Sequence, residues 1–214
     1  MFLINDKEFN GYPVIHQHGP LVQDILIAIE LMMAKSFCEH KRLAVFRFEL
    51  KFPGDYIGTA EVISKFIDSL RFRTQRDLSK KSKSRGRAIY SVINYLWVKE
   101  LSGSEGWHYH FVLVLNYDVY NCFGKIGSKN NNMYKRILAS WASAIECSEN
   151  DALGLVHLPK NSVYKLDKNS LTFGEDINAV LFRLSYLAKL KTKPYGSNTR
   201  RRFYGTSKRK SWLS

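Results

Sequence analysis

Long apolar runs are missing from these 214 residues; nothing approaches the roughly 20 uninterrupted apolar residues of a membrane helix. The most apolar stretch, Asp24 to Ala34, is short and carries Asp24 and Glu30. Cysteine is scarce. Cys38, Cys122 and Cys147 are odd in number and without metal-knuckle spacing, which fits a reducing cytosol rather than a disulfide framework. The opening residues Met1-Phe-Leu-Ile-Asn-Asp-Lys do not follow the charged–apolar–small order of a signal peptide. No glycine-rich phosphate loop is present, so no fused nucleotide-driven motor is expected. Acid is also in short supply: 19 Asp and Glu against 33 Lys and Arg leave a net charge of +14. That excess speaks of partners rather than of fold, and nucleic acid is the commonest polyanion a basic domain meets. A soluble cytoplasmic protein without membrane association is expected.

What is present is enough apolar residue, 45%, for one real core. Residues 1–20 read as an irregular arm ending at Gly19-Pro20, and 21–38 as a helix that covers the domain. Residues 43–52 alternate as a strand, with Ala44, Phe46, Phe48 and Leu50 on one face and Val45, Arg47, Glu49 and Lys51 on the other. A helix over about 59–74 follows. Then comes a run from Arg71 to Arg87 with eight Lys or Arg and one Asp, read as a solvated loop or a DNA-backbone contact. Arg71, Arg73, Lys80, Lys81, Lys83, Arg85 and Arg87 are its candidate contacts. Strand character returns over 88–100 and 108–115, a helix over 133–147, a short strand over 154–157, a turn over 166–170 and a last helix over 175–190. The order is β-α-β-β-α-β-α. It predicts an α+β fold, a ferredoxin/RRM-like antiparallel sheet (split βαβ) with helices on one face.

The chemistry concentrates in Glu100-Leu-Ser-Gly-Ser-Glu-Gly-Trp-His108-Tyr-His110-Phe-Val-Leu-Val-Leu115. Side chains alternate along a strand, so His108 and His110 share a face, about 7 Å apart at Cα. Tyr109, Phe111, Leu113 and Leu115 turn towards a helix-covered core. The histidines are expected mid-sheet on the uncovered face. A hairpin loop in the seven residues between Glu100 and His108 would bring those two together, with Glu49 on the same face as a rival or addition. Two imidazoles and a carboxylate suit a divalent ion with open positions, Mn²⁺ or Mg²⁺ foremost and Zn²⁺ as well. An isolated His-x-His in a strand is more often surface detail, and His16-Gln17-His18, between Pro13 and Gly19-Pro20, reads as loop. The carboxylate-bearing strand before the second pair and the apolar run after it distinguish the two.

In the last helix Tyr186 and Lys189 stand three residues apart and so share a face, away from the stripe of Ile177, Val180, Leu181, Leu184 and Ala188. Arg183 precedes them. After them come Lys191, Lys193, Arg200, Arg201 and Arg202, interleaved with Tyr195, Phe203, Tyr204 and Trp212. That mixture suits a single-strand clamp, in which cations track phosphates and aromatic faces stack on bases, or a generic basic tail.

Through these residues the chain resembles the HUH endonucleases, the class defined by a His-hydrophobic-His strand. Gly106-Trp-His-Tyr-His-Phe, Gly154-Leu-Val-His157 and Leu184-Ser-Tyr-Leu-Ala-Lys189 resemble the prophage YagK/YfjJ-type family with its inovirus-type replication proteins. The resemblance spans about Leu43 to Lys210. It implies an endonuclease domain over 43–195 between an N-terminal arm and helix (1–42) and a basic tail (196–214). It further implies a rolling-circle replication initiator that nicks and joins single-stranded DNA at an origin. Tyr186 would be the nucleophile, Lys189 its cationic helper, and His108, His110 and Glu100 the ligands of a divalent metal. A single tyrosine would need a second protomer, hence a possible homodimer, or regeneration for a second transfer. A separate host helicase would unwind the duplex. Two alternatives stay open: a non-catalytic RRM-like module that binds single-stranded DNA or RNA, and an HUH-class transposase.

Overall fold

The computed structural model describes residues 1–54, 61–103, 106–193 and 203–207. Four two-residue strands open the chain: β1 (Leu3–Ile4), β2 (Glu8–Phe9), β3 (Tyr12–Pro13) and β4 (Leu21–Val22). The arm is therefore less irregular than expected. β1 pairs with β4, and β2 turns into β3 through Asn10 and Gly11, whose positive φ angles (48° and 83°) suit a tight hairpin. Helix α1 (Gln23–Glu39) and strand β5 (Arg42–Lys51) follow.

Helix α2 runs from Val62 to Arg85, so the basic run expected as loop is helical almost to its end. No Gly or Pro interrupts it before Gly86, which caps the helix in the left-handed conformation at φ 61°. The remaining elements are β6 (Asn94–Ser102), β7 (Gly106–Asn116), α3 (Met133–Ala144), β8 (Val156–His157), β9 (Val163–Asp167), α4 (Phe173–Ser185) and β10 (Tyr204–Thr206). β9 overlaps residues read as a turn; of its five residues only Leu166 is buried, so its sequence carries little strand signal. The last helix also ends earlier than expected. Tyr186–Ala188 form a 3-10 turn after α4.

The main sheet is antiparallel, in the order β10-β6-β7-β5, with β8 and β9 both on the free edge of β5. Helices α2 and α3 cover one face. There Phe46, Phe48, Leu50, Tyr109, Phe111 and Leu113 meet Phe66, Leu70, Ile137 and Trp141, all buried, with the Phe48 and Phe111 rings stacked at 5.0 Å.

The other face is covered as well, contrary to expectation. Leu43, Val45, Leu96, Val98, Val112 and Val114 project there, and Ile25, Leu26, Ile29 and Met32 of α1 close over them with Val180 and Leu184 of α4. Six aliphatic side chains on a sheet face would cost on the order of 10 kcal/mol if left in water, at about 2 kcal/mol each. A layer of helix is the physical answer. The histidines lie on this same face, at the end of β7 beyond the aliphatic patch.

Candidate metal centre

Register across three strands assembles the site. Glu100 of β6 pairs directly with His108 of β7, and Glu49 of β5 pairs with His110. The two strands therefore pair as expected, and Glu49 joins the same face. His108 Nε2 lies 3.3 Å from His110 Nε2, which lies 3.2 Å from Glu100 Oε2. All three residues are buried, and their ligand atoms lie within 4.8 Å of one another.

The outer nitrogens of both imidazoles are already engaged. His110 Nδ1 stands 3.3 Å from Glu49 Oε1, and His108 Nδ1 lies 3.2 Å from the Gly106 carbonyl. Each acceptor favours a proton on Nδ1, which leaves both Nε2 atoms to face one another and the carboxylate. Such a trio calls for a proton or a cation between its members. Bonds of about 2.1 Å around a small divalent ion put neighbouring ligands about 3.0–3.5 Å apart, the spacing of the His108–His110 and His110–Glu100 pairs. The donors thus fit a divalent metal, with Glu49 orienting His110 from behind as a ligand's carboxylate partner does.

Charge is finely shared. Burial works against the imidazolium of His110, but hydrogen bonds to Glu100 and Glu49 outweigh it and raise its pKa. His108, penalised by burial and by the charge on His110, is lowered. Burial also opposes ionisation of Glu49, yet its hydrogen bond to His110 and the charges of the surrounding imidazoles bring it down to about 2. Glu100 is likewise held well below the carboxylate range, against its burial, by His110 and Lys193.

Two lysines close on Glu100. Lys193 Nζ donates to Oε1 at 2.5 Å, and Lys189 Nζ lies 3.1 Å from Oε2, which also accepts from Thr192 Oγ1 at 2.6 Å. Lys193 was expected to contact nucleic acid. Its side chain is 0% exposed, so it serves the carboxylate instead, with burial pulling it to about 8 against the attraction of Glu100. No periodicity could have signalled this, since Thr192 and Lys193 lie beyond the last regular helix.

Tyr186 joins the cluster. Its ring lies edge-on to His110 at 6.1 Å between centroids. In a 3-10 turn residues i and i+3 eclipse, which brings Lys189 Nζ to 3.7 Å from the Tyr186 ring centroid. The five residues singled out for chemistry thus meet at one place. His157 is a neighbour that sequence reasoning gave no role: its Nδ1 is 3.6 Å from Glu49 Oε2.

The basic residues divide. Arg183 and Lys191 are exposed on either side of Tyr186 in sequence. Those on α2 are not brought to the site, because α2 packs on the opposite sheet face. Arg71 lies over the Tyr95 ring, Arg73 reaches the Ala139 carbonyl, and Lys81 pairs with Asp77. Lys80, Lys83, Arg85 and Arg87 are exposed. Arg200, Arg201 and Arg202 lie outside the described residues. Among those described, no helix is long and apolar enough to cross a membrane.

Fold and site together define an α+β domain whose antiparallel sheet holds a His-x-His pair and a glutamate beside a Tyr-x-x-Lys turn. The chain belongs to the YagK/YfjJ C-terminal domain family, whose profile matches residues 4–207. That match takes in the arm and α1, which the resemblance in motifs did not cover. The chain is 32% identical over 193 residues to YagK of Escherichia coli K12, covering 86% of this chain and 92% of the relative. It is 25% identical over 207 residues to YfjJ of the same organism, covering 91% and 95%. Both relatives are described as uncharacterized proteins. No solved structure gives a significant match.

Proposed function

We propose that this protein is an HUH-type nickase and strand transferase that initiates rolling-circle replication by nicking and joining single-stranded DNA. The observation that carries the reading is the meeting of Tyr186 and Lys189 with His108, His110 and Glu100: 6.1 Å between the Tyr186 and His110 rings, and 3.1 Å from Lys189 to Glu100. An RNA- or DNA-binding sheet has no use for that combination. The strand order β6-β7-β5 with β8 and β9 beyond, and with α2 and α3 as crossovers on one face, supports a ferredoxin/RRM-like core to which α1 and α4 are added.

Tyr186 Oη attacks the scissile phosphorus, and the phosphorus–O3′ bond breaks. The phenol gives up its proton and the departing 3′ oxygen takes one, so a 5′-phosphotyrosine and a free 3′-hydroxyl remain. Lys189, over the ring and beside the carboxylate, stabilises the negative charge that gathers on the phosphate as the bond forms. His108, His110 and Glu100 would hold Mn²⁺ or Mg²⁺, which when bound supplies Lewis acidity towards a phosphate oxygen. Glu49 fixes the ring of His110, and Lys193 balances the charge of Glu100. Arg183 and Lys191, exposed and flanking Tyr186 in sequence, suit the neighbouring phosphates of a single strand. Because the new phosphodiester conserves the bond that was broken, the 3′-hydroxyl can reverse the attack without an energy cofactor. With one tyrosine, a second transfer takes a second protomer or a regenerated Tyr186, and unwinding falls to a separate helicase.

A binding module that stacks bases on an open sheet is the reading that loses ground. Tyr95, Tyr109 and Phe111 are buried beneath α2 and α3, and the opposite face lies under α1 and α4. A transposase of the same class would share the chemistry and differ in the DNA ends it reads. The test is incubation with labelled single-stranded DNA from the surrounding genome and Mn²⁺, followed by a denaturing gel. A slow-migrating adduct that disappears with chelator and with Tyr186→Phe supports the reading. Tight binding with no adduct across the whole pool refutes it.

A further inference from the structure

The 3-10 turn that carries Tyr186 is tied on both sides to the N-terminal arm. Just before the tyrosine, the Ile15 N–H donates to Ser185 Oγ at 2.8 Å, and the hydroxyl of Ser185, fully buried, donates to the Phe182 carbonyl at 2.7 Å. Just after it, the Leu190 N–H donates to the Pro20 carbonyl at 2.9 Å, and Leu21 forms an antiparallel bridge with Lys189. The arm is anchored by Val14, Ile15 and Leu21, all buried, and turns at Gly19 with φ 90°. Between the two ties lies His18. Its ring meets Tyr186 edge-on, with centroids 5.3 Å apart and planes at 87°.

We propose that His18 is a positioning residue for the Tyr186 nucleophile, held in place by this strap; the proposal rests on the reading of Tyr186 given above. A half-buried tyrosine on a surface turn has rotamer freedom that in-line attack cannot use. Edge-on aromatic contacts restrict a ring's orientation, and His18 and His110 both make one with Tyr186 while Lys189 covers its face. His110 and Lys189 also serve the metal centre. His18, exposed and remote from Glu100 in sequence, has no other such partner among the interactions described. The His16-Gln17-His18 motif, a mere loop by its sequence context, thereby gains a role through the ring of its second histidine.

The experiment compares His18→Ala and His18→Phe with the unaltered protein. Three quantities are read: the single-turnover rate of adduct formation at saturating DNA, the affinity for that DNA, and the ¹³C–¹H NMR signals of the Tyr186 ring, assigned with Tyr186→Phe. His18→Ala should slow the adduct step about 10- to 100-fold, the scale of a misplaced reacting group. DNA affinity should change less than about twofold, as for a group that orients without binding substrate. His18→Phe should regain most of the rate, because an aromatic edge is what positions the ring. A rate unaffected by alanine overturns the proposal, and so does a phenylalanine variant as slow as alanine, which would make the imidazole's proton the essential feature. Should the unaltered protein form no adduct, the nucleophile reading fails by itself. The NMR signals still decide the strap: they must shift and broaden with His18→Ala, and unchanged signals overturn the positioning claim.

Discussion

Replacing Glu100 by glutamine keeps the shape of the side chain and removes its charge at the best-connected point of the site. The Glu100 side chain is 1% exposed and meets four partners: Lys193 at 2.5 Å, Thr192 at 2.6 Å, Lys189 at 3.1 Å and His110 at 3.2 Å. The Lys193 side chain is 0% exposed and that of Lys189 only 9%. Glu100→Gln therefore strands buried ammonium groups, and one amide cannot satisfy both. Breaking a buried pair by removing one partner costs about 3–5 kcal/mol. In a domain of this size each kcal/mol lowers Tm by about 2–4 °C, so a fall on the order of 10 °C is expected. Thermal unfolding followed by circular dichroism in the presence of a chelator measures it. A second substitution sharpens the test. Lys193→Met should destabilise the unaltered protein but stabilise the Glu100→Gln protein, because there it removes the stranded charge. Mn²⁺ at 100 times its Kd should stabilise the unaltered protein by about 2.7 kcal/mol, and the Glu100→Gln protein by far less. A Glu100→Gln protein melting within about 2 °C of the original, or a Lys193→Met effect of one sign in both backgrounds, would refute the reasoning.

Three further outcomes are expected. Glu49→Gln weakens the acceptor behind His110 and should lower Mn²⁺ affinity about 10- to 100-fold in calorimetric titration. Asp77, buried between α2 and α3, accepts from Lys81 and from Tyr120 Oη at 2.8 Å and forms an ion pair with Arg136 Nη1 at 3.2 Å. Burial alone would raise it, but the Lys81 and Tyr120 hydrogen bonds and the charge of Arg136 lower it below the ordinary value. Its stabilisation is therefore full above the unfolded pKa of about 3.9 and lost as pH falls through the folded one. Asp77→Asn should cost about 3 kcal/mol at pH 7 and remove that part of the acid slope in urea melts between pH 2.5 and 7. At Gly205 an added Cβ would lie 2.7 Å from the Trp97 ring. Gly205→Ala should destabilise by about 1–3 kcal/mol, seen as faster hydrogen exchange at the Lys99 amide, which donates to Phe203 across the β6–β10 edge.

The sequence made the site more legible than its surroundings. Alternation along β5 and β7 is a period-2 signal, and it alone places Glu49, His108 and His110 on one face. The Gly/Ser-rich hairpin brought Glu100 opposite His108 for the same local reason. Contacts between segments distant in sequence left no such trace. Nothing in α1 says which sheet face it will cover, and Val112 and Val114 look alike whether they meet helix or solvent. The cations of α2 read as loop because charge is common in loops, yet Lys and Arg are good helix formers and no breaker stands before Gly86. β9 was hidden by polar residues at the free edge of β5. The approach of Lys193 to Glu100 and of His18 to Tyr186 depends on how α4 and the arm settle on the sheet.

Under the proposed function Tyr186 takes the DNA strand, and peptide mass spectrometry locates the residue that does so. Protein incubated with origin-containing single-stranded DNA and Mn²⁺ would be digested with nuclease and protease and its tyrosine peptides weighed. A nucleotide phosphate is expected on the peptide containing Tyr186, absent when metal is chelated. The same mass on another tyrosine, or a Tyr186 peptide that remains unmodified while the DNA is cut, would contradict the proposed function.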